Sequence, residues 1–401
     1  MQGHIRRRGK QWTIVLVVGY THAHDPAIGK PIRKKIQKWI GGFKTRRDAE
    51  VRCAQLLADW HAGTWTPPTK ITTREFLELW LERYAKGAVG PVTFANYTKM
   101  IRRSIIPALG PLPLSRLGPQ ALQGYYGALC ERTVRRRCEG RLEVVPIRMA
   151  TAHAHHRLLR TALGHAVRWG LIARNPAALT NPPRPQRRQV AVWDTEQVQL
   201  FLGVAKRTSP HYPLYLTAIL TGMRLGELLG FRWQDVNLVM RTVTIRQTFY
   251  RLGRRQLFKS PKTTGSERTV QLSDAVVEAL RTVRDAQQQI RTMVADESGG
   301  LDLVFCQPNG KPLHGHNLTQ RDFRRVIAQA GLPLIRFHDL RHAHASYLAL
   351  AGVPLKVAQE RLGHATPTFT ARVYQHVLSG QQEAAAEAVE ALLLRRREGE
   401  S

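Results

Sequence analysis

His338-Asp339-Leu340-Arg341-His342, followed by Leu362-Gly363-His364 and Arg372-Val373-Tyr374-Gln375-His376, is the stretch on which the reading of this chain turns. His338 and Arg341 stand three residues apart, which puts them on one face of a predicted helix and within reach of a common phosphate. Upstream, Thr221-Gly222-Met223-Arg224-Leu225-Gly226-Glu227 supplies a second arginine. Between the two, Ser260-Pro261-Lys262-Thr263-Thr264-Gly265-Ser266-Glu267-Arg268-Thr269-Val270 sets a lysine among turn residues ahead of a strand-like run at 269–272, and residues 241–248 offer an earlier strand.

The ordered residues Arg224, Lys262, His338, Arg341, His364 and Tyr374 make a chemical set. A phosphodiester in transfer carries negative charge on its non-bridging oxygens, and two guanidiniums bind such oxygens through paired N–H donors while staying charged at any working pH. Arg224 and Arg341 fit that task. A free phenol has a pKa of about 10, so Tyr374 needs a proton acceptor, for which His338 is the candidate, and cationic surroundings. Singly, each residue is ordinary: a surface charge, a packed histidine, a half-buried tyrosine. Their order within longer signatures is what carries weight.

That order and those neighbours resemble the tyrosine recombinases, also called the phage integrase family, over nearly the whole chain and most strongly from about 194 to 378. The resemblance implies that Lys262 is the general acid on the departing 5′ oxygen, with Lys259 its nearest rival, that His364 donates a hydrogen bond to the phosphate, and that Glu227 braces the first arginine. It places the nucleophile at Tyr374, after Leu362-Gly363-His364, rather than at Tyr347 on the His338–Arg341 helix. It implies a 3′-phosphotyrosyl intermediate, strand exchange through a Holliday junction without ATP, metal or other cofactor, and a homotetramer on double-stranded DNA attachment sites. Accessory DNA-bending or directionality proteins are possible further partners. Within this resemblance a chromosome-dimer or plasmid resolvase, or a type IB topoisomerase-like strand transferase, stands as the alternative to an integrase of a mobile element.

Composition agrees with a nucleic-acid partner. Among 401 residues, 61 Lys and Arg oppose 29 Asp and Glu, a net +32 that would repel itself without a polyanion. No run is long enough for a spanning helix, and the apolar stretch 12–18 lacks a cleavage site behind it, so the expected compartment is the cytoplasm of a bacterial cell, with its DNA. Cys53, Cys130, Cys138 and Cys306 lack paired zinc spacing and are expected as free thiols. His153, His155, His156, His314 and His316 have no carboxylate or thiolate partners at ligand spacing and are expected at the surface or facing DNA; no metal site is predicted. Asp339 stands where a zincin motif needs Glu.

Proline-rich joints at 66–69 and 175–188 divide the chain into three expected domains, and the fold class is mixed α and β, multidomain. Residues 1–65 read as a small β-sheet plus helix: strand-like runs at 11–20 and 32–40, then a helix capped by Thr45. This segment holds 13 Lys and Arg against 4 Asp and Glu, and Arg6, Arg7, Arg8, Lys10, Lys34 and Lys35 are candidate DNA contacts. By resemblance it is an arm-type DNA-binding domain. Residues 70–180 read as all-α, with stripes at Phe76, Leu77, Trp80, Leu81, Tyr84 and at Leu158, Leu159, Ala162, Leu163, Ala166, Val167. A helix starts at Pro91 and carries the candidate DNA contacts Arg102 and Arg103. This part resembles the family's core-binding, SAM-like domain, with residues 132–146 as an enlarged basic loop. Residues 190–401 are the expected catalytic domain, mainly α with a small β-sheet, ending in a helix at 381–397.

Overall fold

The computed structural model of the chain describes residues 2–24, 31–61, 70–138, 141–185, 192–253, 255–259, 267–294, 302–363 and 390. It divides into two compact units, Met1–Arg187 and Arg188–Ser401. The joint at 66–69, the last part of the basic linker, and the tail helix expected at 381–397, save Glu390, lie outside the described residues.

The first unit opens with an antiparallel sheet in the order β1 (Gln2–Arg8), β2 (Gln11–His24), β3 (Pro31–Phe43). One face is covered by α1 (Arg46–His61), and Ile14 and Leu16 pack there against Ala49, Cys53 and Leu56. Thr45 caps α1, its Oγ1 accepting from the Asp48 N–H at 3.1 Å. The uncovered face carries exposed Lys35, Gln37 and Trp39, and the Arg8 guanidinium lies 5.9 Å from the Trp39 ring centre. Strand β1 was not expected. On the helix side of this edge strand stand Gly3, Ile5 and Arg7, of which Ile5 alone has an apolar side chain, so the Arg6-Arg7-Arg8 run hides the alternation.

Helices follow. α2 (Thr73–Trp80) passes through a π-helical turn (Leu81–Ala85) into α3 (Lys86–Ala88), and α4 (Pro91–Met100) passes through another (Ile101–Ile105) into α5 (Ile106–Leu109). Thr72 and Glu75 form a capping box at the start of α2. With α6 (Pro119–Glu131) and α7 (Met149–Arg168) these helices enclose Phe76, Leu77, Trp80, Ile101, Ile105, Leu159 and Leu163.

Two expectations fail here. The stretch read as an enlarged loop is a hairpin of β4 (Thr133–Cys138) and β5 (Arg141–Pro146), with Val134 opposite Val145 and Arg135 opposite Val144; β-branched residues on both sides of a two-residue connection favour pairing. His155 and His156, expected at the surface, are buried, their Nδ1 atoms hydrogen-bonded to the Tyr125 and Tyr126 hydroxyls at 2.7 and 3.2 Å. A neutral imidazole on an inward helix face is satisfied by a phenol as well as by water.

In the second unit, α8 (Thr195–Thr208), α9 (Tyr212–Thr221) and α10 (Leu225–Leu229) precede β6 (Val236–Asn237) and β7 (Thr242–Ile245). A hairpin of β8 (Thr248–Leu252) and β9 (Arg255–Lys259), closed by a Phe249–Phe258 cross-strand pair 5.1 Å apart, comes before β10 (Arg268–Gln271). The small sheet runs β10-β7-β6. α11 (Asp274–Val294) follows; α12 (Gly315–Asn317) continues through a π-helical turn (Leu318–Asp322) into α13 (Phe323–Gln329), and α14 (Asp339–Leu350) and α15 (Leu355–Leu362) close the described part. The core centres on Trp193, Phe201, Tyr215, Phe323 and Phe337. Among the described residues no helix is long and apolar enough to cross a membrane.

Candidate active site

The last turn of α15 organises the site. A helix ends with backbone carbonyls that lack intrahelical partners and carry the negative end of the helix dipole. Here three consecutive ones, on Arg361, Leu362 and Gly363, each accept a hydrogen bond from a different arginine. Arg268 Nε donates to the Arg361 carbonyl at 2.8 Å, Arg341 Nη2 to that of Leu362, and Arg224 Nη2 to that of Gly363 at 3.0 Å.

Each arginine comes from a different element. Arg224 is the N-cap residue of α10, where the chain leaves α9 through the left-handed Gly222. Its backbone N–H and Nη1 both donate to the Glu227 carboxylate, at 2.9 and 2.8 Å. Arg341 lies on α14, is 3% exposed, and donates Nη1 to the Gly222 carbonyl at 2.7 Å. Arg268 begins β10 and is itself buried; its Nη1 and Nη2 grip Glu227 at 3.1 and 2.8 Å.

Glu227 therefore accepts four hydrogen bonds in a buried position. Burial pushes its carboxyl up, but the Arg268 and Arg224 donors override that and hold it down to about 2. The Arg341 guanidinium is pushed down to about 9 by burial first, then by repulsion from Arg224 and Arg268, with Glu227 opposing; it remains a cation at neutral pH. Arg361 ties the same turn outward, donating to the carbonyls of Gln271 and Leu220 at 3.1 and 3.0 Å and standing 3.2 Å from His344 Nε2. Three guanidiniums, those of Arg224, Arg268 and Arg341, thus act on one carboxylate, with Arg361 adding a fourth cation beside Arg268, and the excess of positive charge suits a polyanionic ligand.

His338 stands at the N-cap of α14, exposed, with its ring edge-on to His342 at 4.9 Å, while Arg341 one turn on points into the protein. Packing that takes the His338 ring partly out of water, then His342 and Arg341, lowers its pKa to about 4, so the ring is neutral at neutral pH. Tyr347, the competing nucleophile, has its hydroxyl committed elsewhere: it donates to the Trp193 carbonyl at 2.5 Å, and burial pushes it up to about 12.

Lys262, His364 and Tyr374 lie outside the described residues. Lys259, the rival lysine, closes β9 opposite Thr248. Arg6, Arg7, Arg8, Lys10 and Lys35 are exposed on the N-terminal sheet or its turn, and Lys34 pairs with Thr21 in the ladder. Arg103 is exposed, whereas Arg102 is engaged by Glu78 through bonds of 3.0 and 2.8 Å. Sequence reasoning missed Arg268, Arg361 and His344. Arg268 was detectable: the alternation of 268–271 sets it on the same inward face as Val270, where an arginine must find partners.

Two family models match the chain: Phage integrase family over residues 192–380, and Phage integrase, N-terminal SAM-like domain, over residues 72–129. A tyrosine recombinase XerC-like protein of Caldanaerobacter subterraneus is 26% identical over 388 residues, 91% of this chain and 93% of that protein. The integrase of Mycobacterium phage L5 is 28% identical over 366 residues, 87% and 90% of the two chains. Among solved structures, the Tn1549 transposon integrase in complex with circular intermediate DNA superposes with a TM-score of 0.64 at 20% identity, covering 80% of this chain and all of that one (100%). A lambda integrase tetramer bound to a Holliday junction gives a TM-score of 0.57 at 19% identity, covering 92% and 96%. These likenesses show the fold. With both family models matched in order and full-length relatives aligned, the chain belongs to the phage integrase family, tyrosine-type site-specific recombinases that cut and rejoin DNA.

Proposed function

We propose that the arginine cluster on the α15 turn receives the scissile phosphate of a DNA attachment site, and that the chain integrates or excises a mobile element. The observation that carries this reading is the convergence of Arg224 and Arg341 on adjacent carbonyls, with charge in excess and two of each guanidinium's five N–H groups taken by the described residues. Further N–H groups would meet the non-bridging oxygens, whose charge grows in the transition state.

Tyr374 attacks phosphorus and passes its proton to neutral His338. The bond to the 5′ oxygen breaks, Lys262 protonates that oxygen, and a 3′-phosphotyrosyl ester remains, with His364 hydrogen-bonded to the phosphate. The 5′ hydroxyl of a partner duplex then attacks the ester and restores the phenol. One phosphodiester-like bond replaces another at each step, so no ATP is required. The lambda integrase tetramer bound to a Holliday junction supports the same assembly for this chain: four subunits on two duplexes. The exposed basic N-terminal sheet supports binding of a second, arm-type site, and with it accessory DNA-bending or directionality proteins, in the cytoplasm where the chromosome lies.

The test is recombination between two plasmids carrying the element's attachment sites, without ATP. Joined products are expected, and deletion of residues 1–65 should abolish them on full-length sites. Relaxation of supercoils without joining would favour a topoisomerase, and undiminished joining after the deletion a resolvase.

A further inference from the structure

Arg268 is not among the six residues given chemical roles, yet it bonds to Glu227 and to the α15 turn, through which two of them are held. It is 8% exposed, and its three nitrogen donors all have partners: Nη1 and Nη2 on Glu227, and Nε on the Arg361 carbonyl. Glu227 in turn holds the backbone N–H and Nη1 of Arg224. The Arg361 carbonyl is the first of the three whose next two members fix Arg341 and Arg224. Gly363 leaves room for this arrangement: a Cβ there would stand 2.8 Å from Arg268 Nη1.

Stability is a poor reason for such a pair. Burying an arginine and a carboxylate costs desolvation of both, and well-packed apolar residues commonly serve as well or better. What the pair supplies is geometry. A planar fork gripping a carboxylate on one edge and a carbonyl on another fixes the position of α10 relative to the α15 turn. Lysine, a point charge with no fork, cannot span the two.

We propose that Arg268 is a positioning residue for DNA cleavage: through Glu227 and the Arg361 carbonyl it sets the Arg224 and Arg341 guanidiniums at the spacing the transferring phosphate requires. This rests on the reading of Arg224 and Arg341 as phosphate ligands. Because the arginines act on charge that grows on the phosphate, a misplaced pair should matter less when the scissile phosphate is replaced by an uncharged methylphosphonate. A general folding or DNA-binding role would not discriminate between the two substrates.

The experiment uses the full chain on nicked duplexes spanning the attachment-site core, with either linkage at the scissile position, and measures single-turnover formation of the protein–DNA adduct alongside DNA affinity. Since misplacement of reacting groups by about 1 Å costs on the order of 100-fold, Arg268→Met should cleave the phosphodiester about 100-fold more slowly and Arg268→Lys about 10-fold more slowly at saturating DNA. Affinity should stay within about twofold for both, and the Arg268→Lys defect should shrink to about twofold or less on methylphosphonate. Should Arg268→Met fail to fold, as its melting curve would reveal, Arg268→Lys decides alone. Wild-type-like cleavage by Arg268→Lys, an equal defect on the two linkages, or a defect confined to affinity each overturns the proposal. A wild-type chain that binds the duplex but forms no adduct overturns the underlying cleavage reading instead.

Discussion

At Gly363 a single methyl group should disturb the arginine cluster directly. Its φ of 63° lies in the left-handed region, and an added Cβ would meet the Arg268 guanidinium at 2.8 to 3.1 Å. Gly352 is the control, with a φ of 68° and nothing within 4 Å of the same added atom. Gly352→Ala should lose only the backbone cost, about 1 kcal/mol in urea unfolding, and keep its cleavage rate. Gly363→Ala should lose about 2 kcal/mol or more and most of its cleavage, because the neighbour that must yield is the Arg268 clamp. Equal losses at the two positions would contradict the placement of that clamp. Tyr347→Phe tests the assignment of the hydroxyl that donates to the Trp193 carbonyl: a loss of about 1 kcal/mol with cleavage intact is expected. Abolished cleavage would make Tyr347 the nucleophile.

Between elements, the α6–α7 contact carries a pH dependence. Burial first, then Arg132, depresses His155 to about 4, below the ordinary imidazole value of about 6.5. Protons therefore bind the unfolded chain more readily. The stabilisation is fully present above the unfolded value and erodes as pH falls from about 6.5 toward 4, by up to roughly 3 kcal/mol. Urea midpoints for the first unit should drop over that window, and the double substitution Tyr125→Phe, His155→Phe should flatten the drop. An unchanged slope would contradict the burial of His155. The same pair shows the limit of reading elements from sequence. A neutral, tyrosine-bonded histidine carries no local mark that separates it from an exposed one. By contrast the helix stripe from Phe76 to Leu81 was legible, since 3.6-residue spacing of apolar side chains has one dominant cause. Strand β1 was hidden because one inward isoleucine sufficed, and hairpin β8–β9 was overlooked although Gly253 between two aromatic-bearing runs signals it.

For the whole molecule, a net charge of +32 implies that phosphate contacts dominate DNA affinity and release counterions. Affinity for any duplex should fall about 1,000-fold or more between about 50 and 200 mM salt. Replacing Arg6, Arg7 and Arg8 by Ala should lower that salt slope by about 1 to 3 units, with no change in the rate of cleavage from bound core DNA; an unchanged slope would remove the N-terminal sheet from the interface. Legibility at this scale was uneven for a physical reason. Residues proposed to act on the phosphate are marked by side-chain type and order, so Arg224, His338 and Arg341 were legible in the sequence. The groups that tie the α15 turn in place, Arg268 and Arg361, donate to the backbone carbonyls of Arg361, Gln271 and Leu220, and carbonyls have no sequence signature. Strand transfer by this chain turns on one covalent bond. Incubation of the full chain with nicked attachment-site DNA, followed by proteolysis and mass spectrometry of the DNA-linked peptide, measures it directly. One nucleotide adduct on Tyr374, absent from Tyr374→Phe, is expected; an adduct on another residue, or one that survives that substitution, would overturn Tyr374 as the nucleophile.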